Sequence, residues 1–149
     1  MTNRRIVKSE IIIKSPSRIH LGFYGISESY GYTYGSMGLA IDYAPVILSI
    51  KKSSKFKTNL PKKYTNSVLS YLESIKTKPK FELMALSVPD SHIGLGSGTQ
   101  IILSVISVIN KFFSLNLNYD EILEISSRGL RSGTGIASFK KGQTGQAIQ

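Results

Sequence analysis

From Ile101 to Phe113 the chain reads IILSVISVINKFF, and it enters that run directly from Gly94-Leu95-Gly96-Ser97-Gly98-Thr99-Gln100. A helix apolar on most of its circumference needs neighbours on nearly every side, so it belongs in the middle of the domain with the other elements arranged around it. The glycine-rich turn at its start carries a second implication. Unpaired N–H groups and the positive end of the helix dipole, roughly half an elementary charge, face whatever approaches that turn, and glycine lets an anion come close. The segment reads as a phosphate cradle, or as a flexible turn that breaks a strand before a core helix.

Around that helix the remaining elements can be placed from periodicity. Glu10–Lys14 and Arg18–Gly22 are short β-type runs separated by Ser15-Pro16-Ser17. If Ile19 and Leu21 face the core, Arg18, His20 and Gly22 face the other side. Residues 25–38 hold four glycines and three tyrosines and read as a loop or bent hairpin, after which Ala40–Ile50 resumes as a strand with an edge, bulge or break at Pro45. Pro61 opens a helix in which Tyr64, Val68, Leu69, Leu72 and Ile75 form an apolar stripe ending near Lys76. Lys80–Val88 is a strand, and Gly98 to about Phe113 the central helix. Asn118 with Glu121 outlines a capping box for a short helix to about Arg128, and the tail from Gly142 is expected to fray. Strands followed by helix, strand, helix and helix predict one α+β domain over residues 1–149, a sheet with helices packed on one face, and not a doubly wound fold.

Nineteen Lys and Arg against nine Asp and Glu give a net charge of +10, which suits nucleotide phosphates, RNA and acidic lipid surfaces alike. Much of the excess lies in nine lysines between Lys51 and Lys80, where a solvated face is expected. The absence of cysteine rules out disulfides, thiolate metal sites and a thiol nucleophile. The apolar runs are too short to span a bilayer, and no secretory signal is evident, so a cytoplasmic protein with no membrane partner is expected.

The G-x-G-x-G spacing is not a dinucleotide fingerprint, and no Lys-Ser or Lys-Thr follows it as in a Walker loop, so main-chain amides would do the gripping. A second cluster, Arg128-Gly129-Leu130-Arg131-Ser132-Gly133, sets two guanidinium groups beside another glycine-rich turn. Arginine suits bidentate contact with phosphate or carboxylate, and it also suits the C-terminal cap of the preceding helix. His20 and His92 are the two histidines, and both sit where an anion could be met. Asp42, Asp90 and Asp120 are scattered, so any Mg²⁺ would rest on substrate phosphates and the metal ligands in the chain stay unassigned.

Four blocks carry a family resemblance. They are Ser15-Pro-Ser-Arg-Ile-His-Leu21, Tyr34-Gly-Ser-Met-Gly-Leu-Ala40, His92-Ile-Gly-Leu-Gly-Ser-Gly-Thr-Gln100, and Ser127-Arg-Gly-Leu-Arg-Ser-Gly-Thr-Gly135 with Phe139. In this order they resemble the archaeal β-ribofuranosylaminobenzene 5′-phosphate synthases, a branch of the GHMP kinase superfamily. The kinases of that superfamily resemble Gly-Leu-Gly-Ser-Ser-Ala in the central loop and carry an Asp soon after Ser-Gly in the later block. Here Gly98-Thr99-Gln100 and Ser132-Gly133-Thr134 stand instead.

The resemblance implies a GHMP N-terminal fold, akin to domains of ribosomal proteins. It also implies a pentosyltransferase that condenses phosphoribosyl diphosphate with a 4-substituted benzoate, releasing CO₂ and diphosphate on the way to a methanopterin-type cofactor. On that reading Gly94, Gly96, Ser97, Gly98, Thr99, Gln100, Ser132 and Gly133 bind phosphate. Arg18, His20, Arg128 and Arg131 carry the catalytic charge, and substrate-bridged Mg²⁺ assists. Family members are much longer two-domain enzymes, whereas this chain diverges at Lys141-Gly142-Gln143 and stops at Gln149. A truncated chain lacking the C-terminal domain is therefore expected, with a second chain, the missing half or a homo-oligomer completing the site, which leaves activity of the isolated chain an open reading. Two other readings stay open: an ATP-dependent GHMP small-molecule kinase, and a basic RNA-binding module without catalysis. The second is disfavoured because the tyrosines lie mostly between Tyr24 and Tyr43, five of the eight, and not along a lysine-rich sheet where bases could stack.

Overall fold

The computed structural model describes residues 10–24, 35–90, 97–127, 139 and 144–148. They form a mixed five-stranded sheet and three helices. The strands are β1 (Glu10–Tyr24), β2 (Gly35–Lys52), β3 (Lys57–Thr58), β4 (Phe81–Ser87) and β5 (Thr144–Ile148), in the order β3-β4-β2-β1-β5. β3 runs parallel to β4, and every other pair is antiparallel. The helices are α1 (Asn66–Ser74), α2 (Ser97–Phe113) and α3 (Tyr119–Ser126).

The central helix is placed as its composition requires. Ten consecutive residues of α2, Gln100 to Ile109, are buried, and the helix packs on β1 and β2. Ile11 and Ile13 of β1, Val46, Leu48 and Ile50 of β2, and Phe81 and Leu83 of β4 complete the core with Val68, Leu72, Ile122 and Phe139. At the C-terminal end of α2, Phe112 and Phe113 meet Phe81 with ring centroids 6.3 and 5.6 Å apart, and Phe56 meets the same ring at 5.1 Å. Such tilted and edge-to-face pairs suit the ring quadrupoles.

The two expected N-terminal strands are one. β1 carries Pro16 in its middle, with a register shift between Ser15 and Ser17. β5 pairs only with Glu10 to Lys14, so beyond Lys14 that edge of β1 has no described strand partner and a missing N–H is tolerated. Opposite Pro16 the pairing on β2 jumps from Val46 to Ile41. The bulge expected at Pro45 is therefore present, with Ala44 in the left-handed region at φ 45°. Of the glycine-rich segment, Gly35–Gly38 is strand; residues 25–34 lie outside the described set. The short β3 had no signal in the sequence, and the tail pairs with β1 over Thr144–Ile148 where fraying was expected.

The helix expected from Pro61 to Lys76 is broken in two. Pro61 is extended and precedes a 3₁₀ turn at Lys62–Tyr64, after which Thr65 leads into α1. Tyr64, Val68 and Leu72 are buried as the spacing predicts, while Ile75 is exposed past the last turn. α3 opens with the expected capping box: the Asn118 side chain accepts from the Glu121 N–H at 3.0 Å, and the Asn118 N–H donates to Glu121 Oε2 at 2.7 Å. It ends at Ser126, earlier than Arg128, because Ser127 turns left-handed at φ 50°. Ile19 and Leu21 do not join the core; they are 40% and 58% exposed on a part of the β1–β2 hairpin that runs past it. All nine lysines between Lys51 and Lys80 are exposed, as a solvated face requires. No described helix is long and apolar enough to cross a membrane.

Candidate anion site at the start of the central helix

Ser97, Gly98, Thr99 and Gln100 form the first turn of α2. Amides of a first turn lack a carbonyl four residues back and point out of the helix end, where the dipole adds its positive charge. No acidic side chain in that turn offsets it. Among the described residues a Cβ built on Gly98 would meet no atom within 4 Å, and Ser97, Gly98 and Thr99 are only half-buried. Gln100, by contrast, is wholly buried and anchors the inner side of the turn.

One hydroxyl pair ties α2 to the sheet a turn further on, and another hydroxyl spans the bulge within the sheet. Ser15 Oγ of β1 and Ser104 Oγ of α2 share a buried hydrogen bond of 2.7 Å, and Ser17 Oγ donates to the Ala44 carbonyl at 2.8 Å across the bulge. Gln100, Ser104 and Ser107 are all buried and recur at four- and three-residue spacing, so a polar seam runs down the sheet-facing side of an otherwise apolar helix. The sequence reading passed over this seam. Its signal was the regular return of hydroxyl and amide side chains within an apolar run.

Arg18 and His20 follow on β1, paired with Ala40 and Gly38. Strand alternation puts them on one face together, opposite the face that carries Ser15 and Ser17 toward α2. Both are half-buried. Burial pushes the Arg18 guanidinium below its ordinary value, yet arginine stays protonated at neutral pH. The structure thus gathers Ser97 to Gln100 in one turn and Arg18 with His20 on one strand face. Gly94, Gly96, Arg128, Arg131, Ser132 and Gly133 lie outside the described residues, as does His92. Phe139, from the last sequence block, is a core residue, 1% exposed.

A metal would find little to hold it among the described residues, where no group of three His, Asp or Glu side chains gathers. Lys14 Nζ lies 2.6 Å from the Asp42 carboxylate, and Asp90 and Asp120 sit exposed on separate stretches of chain. These residues do not make a Mg²⁺ cage.

Residues 59–141 match the family model of the GHMP kinases N terminal domain. Among curated proteins, the chain is 34% identical over 134 residues to a β-ribofuranosylphenol 5′-phosphate synthase of Archaeoglobus fulgidus, covering 87% of this chain and 42% of that protein. It is 31% identical over 147 residues to the protein of the same name from Methanocaldococcus jannaschii, covering 89% of this chain and 45% of that one. The chain therefore spans somewhat less than half the length of these relatives. Among solved structures, a putative sugar kinase from Campylobacter jejuni superposes with a TM-score of 0.67 at 18% identity, over 80% of this chain and 44% of that one. The Methanococcus jannaschii mevalonate kinase superposes with a TM-score of 0.63 at 22% identity, over 91% and 53%. Both share the fold described above.

Proposed function

Since the chain belongs to the GHMP kinase N-terminal domain family, we propose that it supplies the phosphate-binding half of a synthase joining a ribose 5-phosphate unit to an aromatic ring. The observation that carries this reading is the agreement of the matched curated relatives, all three named β-ribofuranosylphenol 5′-phosphate synthase, across 87–89% of this chain. That name also favours one acceptor. A phenol product requires a ring that already bears a hydroxyl group, hence 4-hydroxybenzoate among 4-substituted benzoates.

The chemistry asks for what the start of α2 offers. The ring carbon bearing the carboxylate, made electron-rich by the para oxygen, attacks the anomeric carbon of phosphoribosyl diphosphate. A C–C bond forms as the bond to the diphosphate oxygen breaks. The carboxylate then leaves as CO₂, and its bonding pair restores the aromatic ring, so no net proton is gained or lost. Negative charge grows on the departing diphosphate, and preorganised amides aimed at it lower the barrier. The N–H groups of Ser97, Gly98 and Thr99 would do this work. Arg18 and His20 lie on the sheet face away from α2 and are given no part at the Ser97 turn, whereas Arg128, Arg131, Ser132 and Gly133 are proposed to close on the substrate from the other glycine-rich turn. Mg²⁺ carried in by the substrate would help to neutralise the charge of the departing diphosphate. The rest of the relatives' length, in a second chain or in a longer form of this one, would complete the cleft, and a cytoplasmic location belongs to the same proposal.

The test uses 4-hydroxybenzoate labelled at the carboxyl carbon. Labelled CO₂ should appear only when phosphoribosyl diphosphate and Mg²⁺ are both present, in the full-length relative and in this chain combined with the relative's second half. Label retained under those conditions overturns the reading. The kinase alternative is supported by the names of the structural neighbours, and ADP formation driven by an alcohol substrate would replace the first reading with it.

A further inference from the structure

A surface hollow lies at the end of the domain away from the Ser97 turn. It is an open hollow of about 700 Å³ between α1 and the segment that leads into β4, within the size range of small-molecule sites. Phe56 and Leu69 give it an apolar floor, Pro79 an apolar wall, and Lys76 and Lys78 its cationic rim. Phe56 is in edge contact with Phe81, which meets the last turn of α2. α2 has 17 residues and is about 25 Å long, so this cavity and the Ser97 turn lie at opposite ends of it.

Its charge is as distinctive as its shape. Residues 51–80 hold nine lysines against the single carboxylate of Glu73, which is +8 of the chain's +10. The cavity opens within that field, and Glu73 itself lines it beside Lys76 and Lys78. The rim is fixed by backbone rather than by side chains alone. Lys76 is left-handed at φ 54° and its N–H donates to the Glu73 carbonyl at 2.9 Å. The Thr77 N–H returns to the Leu72 carbonyl at 2.8 Å, and the Lys80 N–H to the Lys78 carbonyl at 2.9 Å. The backbone that carries both lysines is therefore ordered before any ligand arrives.

We propose that this cavity is a second ligand site, taking a small organic anion in which a flat apolar body carries a carboxylate or phosphate group. The body lies against Phe56, Leu69 and Pro79, the anionic group meets Lys76 and Lys78, and Glu73 accepts from any N–H or O–H on the ligand. This site is separate from the proposed chemistry at α2 and stands or falls without it.

Three probes share one ring system: 2-naphthoate, 2-naphthyl phosphate and the neutral 2-naphthalenemethanol. Titrated into the 149-residue chain and followed by calorimetry and amide chemical shifts, at least one anion should bind about tenfold more tightly than the alcohol. Its shifts should centre on Leu69, Ser70 and Thr77, and 0.5 M salt should weaken it. Whichever anion binds more tightly identifies the carboxylate or the phosphate source. Lys76→Asn, which suits the left-handed backbone, combined with Lys78→Gln should remove that preference. Ser70→Trp, at an exposed position on the cavity wall, should block all three probes. Binding that is absent, equal for the alcohol, unchanged in both variants, or mapped to Ser97–Gln100 overturns the proposal.

Discussion

At Gly98, folding and binding make opposite demands, which makes it the sharpest single test of the anion site. A Cβ there meets no atom of the described residues within 4 Å, and alanine is the better helix former by about 0.5–1 kcal/mol. Gly98→Ala should therefore melt at the same temperature or slightly higher, while calorimetric affinity for pyrophosphate falls about tenfold because the methyl group occupies the anion's approach. Unchanged affinity would show that no close approach occurs there. Glu82 tests a different kind of contact. Lys51 Nζ sits 2.9 Å from its carboxylate, and the hydrogen bond holds Glu82 below the usual carboxylate range. A group depressed in the folded state contributes stability above its unfolded pKa, about 4.3, and loses it as pH falls through the lower folded value. Stability of Glu82→Gln, measured by denaturant titration between pH 6 and 2, should decline less steeply with acid than that of the parent. Neither residue could have been ranked from sequence alone, since Gly98 stands among several glycines and Glu82 acquires its lysine only through strand pairing.

Among the elements, α2 was the most legible and also hid the most. Its apolar run announced a buried helix, but the same apolarity drew attention away from Gln100, Ser104 and Ser107. The bond between Ser15 and Ser104 joins residues 89 positions apart, a distance over which periodicity carries no information. Either Ser15→Ala or Ser104→Ala leaves a buried hydroxyl without its partner and should cost about 1–3 kcal/mol in urea unfolding; the double variant should cost clearly less than the two combined. Simple additivity would mean that the hydroxyls stabilise the helix independently. Local signals were read well where the physics is local. The Asn118–Glu121 box and the bulge at Pro45 are of that kind, whereas Pro16 misled because its tolerance depends on how far β5 extends along β1.

For the whole molecule, fold class followed from the order of strand and helix patterns, while β3, β5 and the single long β1 are products of pairing between distant segments. The core occupies one half of the β1–β2 hairpin, and the other half extends past it with Ile19, Leu21, Met37 and Leu39 exposed. Hydrogen exchange should divide along that line: slow amides in α2 and in residues 46–50, fast ones in residues 37–40 and 19–22. Uniform protection along the hairpin would contradict it. The bulge that separates the halves also reverses parity. β1 takes two steps from Ser15 to Ser17 while β2 takes five from Ile41 to Val46, so the sheet face that packs α2 carries even-numbered side chains of β2 over residues 46–50 and continues with odd-numbered ones at Ile41 and Leu39. Deleting one residue between Asp42 and Pro45 would turn one stretch of the ribbon inside out, whereas deleting two would keep every side chain on its present face. Length changes at this corner should therefore be tolerated only in pairs.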